Sequence, residues 1–153
     1  MRINRFICPR VIRFSAGVKL ESLKTKDIKV YRERLETLQV NLGYKCNQAC
    51  THCHVNAGPN RTEEMARETI EVILRFLKKE RIQILDITGG APELNPHFKY
   101  LVTEAAEIGV CVINRCNLTI LLEKGHVDLP LFFAEKKVKV VASMPCYTEE
   151  HVN

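Results

Sequence analysis

The sequence lacks a long apolar stretch: no run approaches the ~20 apolar residues that a membrane-spanning helix needs. Its N-terminus also lacks the apolar core of a secretory signal peptide, because Pro9, Arg10 and Arg13 interrupt the apolar residues there. With 46% hydrophobic and 27% charged residues, the composition is typical of a soluble globular protein. These features predict a cytoplasmic protein with no membrane partner. The alternative, a transit peptide, rests only on the arginines that precede Glu21.

The sequence has little net charge outside its N-terminal segment. Residues 1–36 carry ten Lys and Arg against four Asp and Glu, whereas residues 37–153 carry thirteen against fourteen. The basic segment lacks the interleaved aromatic side chains that stack on nucleic-acid bases. We therefore predict a basic N-terminal extension over 1–36, a functional domain over 37–153 and no nucleic-acid partner. A phosphate- or partner-binding patch on the extension is the alternative.

The seven cysteines, an odd number in a chain without an export signal, favour reduced thiols or metal ligands over disulfides. Three of them, Cys46, Cys50 and Cys53, are separated by three and then two residues, and thiols this close usually share a metal. Three metal groups are consistent with this spacing: zinc with His52 or His54 as a fourth ligand, haem c attached at Cys50 and Cys53, and an iron–sulfur cluster. With only three thiolates, one iron of a four-iron cluster would stay open to a small molecule.

Apolar residues alternate between strand-like and helix-like periodicity along the chain. The pattern predicts strands at 38–42, 82–88, 110–114 and 138–144. It predicts helices that begin at Thr62, run from Asn95-Pro96 to Gly109, and span 129–136. Strands alternating with helices predict βα units and a parallel sheet, although four units are too few to close an eight-stranded barrel.

In parallel α/β folds, sites form where the strands end, so the residues that follow each strand are candidates. Cys46 follows the first strand, 89–93 the second and Asn117 the third, while Ser143 ends the fourth. The paired glycines at 89 and 90 allow close approach to the backbone, and backbone amides bind polar groups. A tight turn at the glycines and strand-end caps at Asn117 and Ser143 are the alternatives.

Asp86 is an acidic residue in an otherwise apolar strand, where a carboxylate is costly unless it is paired or faces a wet interior. It shares a strand face with Thr88, because side chains alternate along a strand. We therefore expect Asp86 either to face a cavity or to pair with a nearby arginine.

The cysteine spacing, in a loop after a first strand and before βα units, resembles that of the radical S-adenosylmethionine (radical SAM) enzymes. In that family the three cysteines, here Cys46, Cys50 and Cys53, hold a [4Fe-4S] cluster, and SAM chelates the fourth iron. The resemblance implies reductive cleavage of SAM to a 5′-deoxyadenosyl radical, with an electron donor such as flavodoxin or ferredoxin. It also implies an α/β partial (βα) barrel of six strands, so this chain would be truncated after about four βα units, with its C-terminal part missing.

The resemblance also implies cofactor contacts at six positions: Gly89, Gly90, Ala91, Glu93, Asn117 and Ser143. The first four lie in a segment similar to the Gly-Gly-Glu-Pro segment of the family, which contacts the SAM amino group. Ala91 stands where the family has Glu, so only backbone contacts carry over there, and Glu93 lies two places later. Asn117 and Ser143 match positions that contact SAM in many members.

Four segments, at 39–59, 86–94, 115–119 and 141–147, resemble the radical SAM subgroup of arsenosugar biosynthesis. That subgroup implies transfer of the deoxyadenosyl group to a methylated trivalent arsenical. Cys116 and Cys146 follow consecutive strands, and soft thiolates suit such a substrate, although buried cysteines often have no chemical role. The alternatives are another radical SAM reaction, such as peptide modification, and a non-catalytic zinc or iron–sulfur binding module.

Overall fold

The computed structural model describes residues 34–142 of the 153-residue chain. Strands and helices alternate along this part of the chain. The elements are β1 (Thr37–Asn41), α1 (Arg67–Lys79), β2 (Ile84–Thr88), α2 (Phe98–Glu107), β3 (Cys111–Cys116), α3 (Leu129–Glu135) and β4 (Lys139–Ala142). Two short 3-10 turns, Pro92–Leu94 and Thr119–Leu122, follow β2 and β3. The predicted alternation of strands and helices is confirmed.

The four strands form one parallel sheet in the order β1-β2-β3-β4, so each strand pairs with the one before it along the chain. This arrangement confirms the α/β fold with about four βα units, and the sequential order is that of a partial barrel. In a parallel sheet the residues that follow the strands lie along one edge. The segments after β1, β2 and β3 are therefore neighbours, as predicted.

One face of the sheet packs against the helices and forms the hydrophobic core. Leu85 of β2 and Val112 of β3 are almost fully buried there, together with Ile70 of α1 and Phe98 of α2. The rings of Phe98 and Phe133 meet edge to face, with their centroids 6.1 Å apart. Burying each of the larger apolar side chains contributes roughly 1.5–3 kcal/mol to folding. This core holds the strands, and thus the segments that follow them, in fixed positions.

The opposite face of the sheet carries polar side chains, because side chains alternate along each strand. Asp86 of β2 is buried and forms an ion pair with Arg115 of β3, with 2.9 Å between nitrogen and oxygen. Gln39 of β1 donates a hydrogen bond to the same carboxylate. Of the two alternatives that the sequence leaves for Asp86, pairing with a nearby arginine is the one observed.

Helix α1 begins later than predicted. Thr62 does not cap it: the helix starts at Arg67, and Ala66 precedes it. The reason is tertiary, since the Tyr44 amide donates to the Glu63 carbonyl and the Met65 amide donates to the Leu42 carbonyl, each at 2.9 Å. These bonds hold residues 63–65 in an extended conformation against the end of β1. The prediction of a helix start at Thr62 was wrong.

Helix α2 starts at Phe98, shortly after the predicted Asn95-Pro96. The Asn95 side chain accepts a hydrogen bond from the His97 amide at 2.8 Å and donates to the Leu42 carbonyl at 3.0 Å. It therefore joins the helix entry to the end of β1. Gly109, with a φ of 83°, follows the helix C-terminus as predicted.

Several predictions concern residues outside the described range. Ser143, Cys146 and most of the basic extension lie there, so the division of the chain between residues 36 and 37 stays a prediction. Strand β4 runs from Lys139 to Ala142, one residue later than predicted, and residues 143 and 144 of the predicted strand fall outside the described range. Within residues 34–142, none of the helices combines the length and the apolar character that crossing a membrane requires.

Candidate metal centre

The three clustered cysteines lie in a loop whose two ends are joined. We call residues 46–57 the cysteine loop and residues 43–45, which lead into it from β1, its stem. The Cys46 amide donates to the Gly58 carbonyl, and the Gly58 amide donates to the Tyr44 carbonyl, each at 3.1 Å. The loop therefore leaves and returns to the sheet at one point, and the thiols lie in a closed excursion from the end of β1.

The residues after β2 pack directly against the stem. We call residues 89–91 the glycine segment. The Gly90 amide donates to the Gly43 carbonyl at 3.0 Å, and the Ala91 amide donates to the Lys45 carbonyl at 2.9 Å. A Cβ atom on Gly90 would lie 2.4 Å from the Lys45 carbonyl oxygen, so only glycine allows this approach.

Two predicted ligand segments, the cysteine loop and the glycine segment, are thus brought together by backbone contacts. The amides of Gly90 and Ala91 are used within the protein. The carbonyl oxygens of Gly89 and Gly90, by contrast, accept no hydrogen bond from any residue between 34 and 142. Backbone acceptors beside the cysteine loop are therefore available to a ligand that donates hydrogen bonds.

The three thiols differ in exposure and in their hydrogen bonds. Cys46 is buried, Cys53 is half-buried and Cys50 is exposed. The Gln48 amide donates to the Cys46 sulfur at 3.4 Å, and the Ala57 amide donates to the Cys53 sulfur at 3.3 Å. Hydrogen bonds to sulfur help to set the reduction potential of an iron–sulfur cluster.

The donor set fits a [4Fe-4S] cluster. Within the described range, no three His, Cys, Asp or Glu side chains converge on one point as a metal cage. His52 and His54, the possible fourth ligands of a zinc ion, are both exposed. In a [4Fe-4S] cluster each thiolate binds a different iron, so the sulfur atoms need not meet at one point. The cysteine loop carries three thiols, and backbone amides already donate to two of them. This arrangement fits a [4Fe-4S] cluster.

An amide network ties the cysteine loop to the segment after β3. The Asn117 side-chain amide donates to the side-chain oxygen Oδ1 of Asn47 at 2.8 Å and lies 3.6 Å from the Cys46 sulfur. The Asn47 amide donates in turn to the Thr119 hydroxyl at 2.9 Å. Asn117 is therefore at the predicted edge of the sheet, with its side chain engaged by the loop.

Asn47 is the residue that sequence reasoning missed. The signal was its place directly after Cys46, because an asparagine inside a ligand loop has both a donor and an acceptor for a neighbouring segment.

Behind the loop, Glu93, Asn114 and Cys116 form a buried polar group. The Asn114 side-chain amide donates to Glu93 Oε1 at 2.6 Å, while Glu93 Oε2 and Asn114 Oδ1 have no partner in residues 34–142. Burial and the nearby Glu93 carboxylate raise the pKa of Cys116 to about 12, against a smaller lowering by the Leu118 amide. Cys116, which is 1% exposed, therefore keeps its proton at neutral pH.

These positions affect two predicted roles. Glu93 lies inside the protein, where its carboxylate is bonded to Asn114, and its predicted contact with SAM stays a prediction. Cys116 packs with Cys46 and Ala91 in one small apolar cluster, enclosed beneath the loop. The predicted arsenic-binding pair stays untested, because Cys146 is outside the described range.

Comparison with known families gives a match over most of the chain. The model of the Radical SAM superfamily matches residues 40–152. The putative peptide biosynthesis protein YydG of Bacillus subtilis is 36% identical over 64 residues, which cover 41% of this chain and 20% of that protein. A probable GTP 3′,8-cyclase of Archaeoglobus fulgidus is 32% identical over 99 residues, which cover 65% of this chain and 33% of that protein.

Two solved structures share the fold. SuiB of Streptococcus suis superposes with a TM-score of 0.56 at 21% identity, over 72% of this chain and 24% of that one. BtrN in complex with AdoMet and 2-DOIA superposes with a TM-score of 0.60 at 15% identity, over 77% of this chain and 49% of that one. The chain spans about a fifth to a third of the length of the two curated relatives above.

Proposed function

Because the chain belongs to the radical SAM superfamily, whose members use a [4Fe-4S] cluster and SAM, we propose that it acts as a radical SAM enzyme or as part of one. The observation that carries the proposal is the packing of the glycine segment on the stem of the cysteine loop. The glycine segment has carbonyl oxygens that residues 34–142 leave unused, and it lies against the stem that leads into the cysteine loop.

In this proposal Cys46, Cys50 and Cys53 each hold one iron of the cluster. When bound and reduced, the cluster supplies the electron that cleaves SAM to a 5′-deoxyadenosyl radical. The amides of Gln48 and Ala57 stabilise the negative charge on two of the sulfur atoms. The Asn47–Asn117 contact holds the loop against the end of β3, so that the cysteines keep their positions over the sheet edge.

SAM is proposed to bind at the glycine segment. An ammonium group donates hydrogen bonds, and the carbonyl oxygens of Gly89 and Gly90 are acceptors that no residue in 34–142 uses. Ala91 offers only its backbone, and its buried methyl group packs beneath the loop. Further contacts from Asn117, Glu93 and Ser143 remain part of the proposal.

The test of the cluster proposal is anaerobic reconstitution with iron and sulfide, followed by optical and EPR spectra. The Cys46→Ala, Cys50→Ala and Cys53→Ala variants are each expected to lose the cluster signal. Cys116→Ala is the matched control, because this thiol is also free but is enclosed behind the loop, and it is expected to retain the signal. Zinc retained through anaerobic purification, or a fourth thiolate on iron, would contradict the proposal.

For the substrate we propose a methylated trivalent arsenical. Its support is the resemblance of the four segments to the arsenosugar subgroup, and the enclosed, protonated Cys116 does not add to it. A peptide is the second candidate, favoured by the 36% identity to a protein named for peptide biosynthesis.

The two candidates are separated by assaying 5′-deoxyadenosine on the reconstituted protein, reduced by flavodoxin or ferredoxin. An arsenical is expected to stimulate its formation in the wild-type chain and not in Cys46→Ala. Stimulation by a peptide alone would replace the arsenical with the second candidate. The cytoplasm, where the predicted electron donors operate, remains the proposed location.

A further inference from the structure

The polar face of the sheet holds one arginine in a defined orientation. Asp86 of β2 lies between Gln39 of β1 and Arg115 of β3. Gln39 donates a hydrogen bond to Asp86 Oδ2, with a distance of 2.9 Å, and Arg115 also donates to this carboxylate. Arg115 makes two bonds to this carboxylate, from Nε to Oδ1 and from Nη2 to Oδ2, each at 2.9 Å. Three strands therefore hold one guanidinium group in place.

The two bonds occupy only one edge of that group. A guanidinium has five N–H donors and can offer a fork of two parallel N–H bonds along its Nε–Nη2 side or across its Nη1–Nη2 end. Asp86 takes the side edge, and the Arg115 side chain makes no other hydrogen bond to residues 34–142. Its side chain is 48% exposed, so the end edge of the guanidinium is accessible to a second oxyanion.

The charges agree with this geometry. Burial raises the pKa of Asp86, whereas the hydrogen bonds from Arg115 and Gln39 lower it. Together the hydrogen bonds outweigh burial, so the pKa of Asp86 lies below its ordinary value. Asp86 is therefore ionised at neutral pH and fixes the arginine.

The position of Arg115 connects it to the proposed site. It is the next-to-last residue of β3, and Asn117, two residues on, contacts the cysteine loop. Arg115 lies on the sheet face opposite the helices, since its neighbours Asn114 and Cys116 are buried on the other side. From this position the guanidinium reaches back along the polar face to Asp86, which lies beside Gln39 in the middle of the sheet.

We propose that the end edge of the Arg115 guanidinium, which residues 34–142 leave unused, binds a carboxylate or phosphate group of a molecule held against the polar face of the sheet, with Asp86 and Gln39 as positioning residues. The inference rests on the proposed function only for the identity of that molecule. SAM and the substrate are the two sources of such an oxyanion. A neutral arsenical has no such group, so in that case the oxyanion comes from SAM.

The first experiment uses inorganic phosphate and the cluster-free chain. Side-chain N–H resonances of Arg115, observed by NMR, are expected to shift saturably as phosphate is added. Arg67 is the internal control, since it is also 48% exposed and paired with a single glutamate, and its resonances are expected not to saturate. In Arg115→Lys, which keeps the charge but loses the fork, the affinity for phosphate is expected to fall about tenfold. The wild-type titration decides the point even if the variant folds poorly.

The second experiment identifies the source of the oxyanion. Calorimetry on the reconstituted chain compares SAM with decarboxylated SAM, in wild type and in Arg115→Lys. If SAM supplies the group, the variant is expected to lose about tenfold in affinity for SAM and nothing for decarboxylated SAM. If the substrate supplies it, both affinities are unchanged while the phosphate response of Arg115 remains.

The inference is overturned if Arg115 shows no saturable response to phosphate and Arg115→Lys leaves the affinity for SAM unchanged. The cluster spectrum of Arg115→Lys is expected to equal that of the wild type, so such a failure leaves the cluster proposal intact. If instead no cluster forms in any variant, the phosphate titration of the cluster-free chain still decides the inference.

Discussion

At the scale of single residues, Gly90 allows the segment that follows β2 to pack closely against the segment that follows β1. It lies in the glycine segment, where its amide bonds to the Gly43 carbonyl and its Cα faces the Lys45 carbonyl. The carbonyl belongs to the backbone, so it cannot move aside as a flexible side chain would. The stem and the glycine segment can therefore approach each other only when residue 90 has no side chain.

We expect Gly90→Ala to destabilise the protein by about 1–3 kcal/mol, because the added Cβ would overlap the Lys45 carbonyl oxygen at 2.4 Å. Urea unfolding measures the difference. Gly58→Ala is the matched control, since a Cβ there meets no atom within 4 Å, and it is expected to leave stability nearly unchanged. Equal effects of the two substitutions would contradict the importance of the close approach.

At the scale of elements, the cysteine loop depends on a segment far from it in sequence. The Asn47 amide and the Thr119 hydroxyl are 72 positions apart, and Asn117 bonds to Asn47 from 70 positions away. These contacts exist only because β1 and β3 belong to the same sheet, with β2 between them. The loop is thus held in place by the sheet as well as by its own closing bonds.

We expect Asn47→Ala to speed hydrogen exchange of the cysteine-loop amides by about five- to tenfold, since a net hydrogen bond is worth about 1 kcal/mol. Exchange in β2 and β3 is expected to stay the same. Asn60→Ala is the control, because Asn60 is exposed and its side chain bonds to no described residue. Unchanged loop exchange in Asn47→Ala would show that the closing bonds alone fix the loop.

The difference between local patterns and contacts between distant segments explains which features the sequence could predict. Strands, helices and the cysteine spacing are local patterns, and βα alternation then fixes a parallel sheet with a common edge. The start of α1 was missed because Tyr44 and Leu42 bond to the segment at 63–65, which local helix signals at Thr62 do not reveal. The role of Asn47 and the enclosure of Cys116 also depend on contacts between distant segments.

At the scale of the whole molecule, the stability at low pH depends on the carboxylate that joins three strands. Hydrogen bonds from Arg115 and Gln39 hold the pKa of Asp86 below its ordinary value despite burial, which acts in the opposite direction. A carboxyl group with a lowered pKa in the folded state stabilises the protein above its unfolded pKa of about 3.9. That contribution is lost as the pH falls through the lower, folded pKa.

We therefore expect the free energy of unfolding to fall with pH below about 4 more steeply in the wild type than in Asp86→Asn. At pH 7 the variant is expected to be less stable by about 1–3 kcal/mol, because Arg115 loses its charged partner. Urea titrations at several pH values measure both effects. Parallel pH profiles for the two proteins would show that Asp86 does not contribute in this way.

The extent of the chain leads to a further expectation about SAM. Within residues 34–142 the sheet has four strands, and the chain spans about a fifth to a third of the length of two curated relatives. We expect calorimetry on the reconstituted chain to give weaker SAM binding than a longer member of the superfamily shows. Equal affinity would mean that the residues in this chain supply the whole pocket.

The two bonds that join the ends of the cysteine loop have a consequence for the rate at which a cluster is built. Closing a chain segment of about a dozen residues costs conformational entropy. Here the backbone bonds among Tyr44, Cys46 and Gly58 close the loop during folding, before any metal binds. Incoming iron and sulfide then need to order only the interior of the loop. Metallation should accordingly behave as a fast local event on a folded scaffold, and the chain should remain folded when iron is withheld.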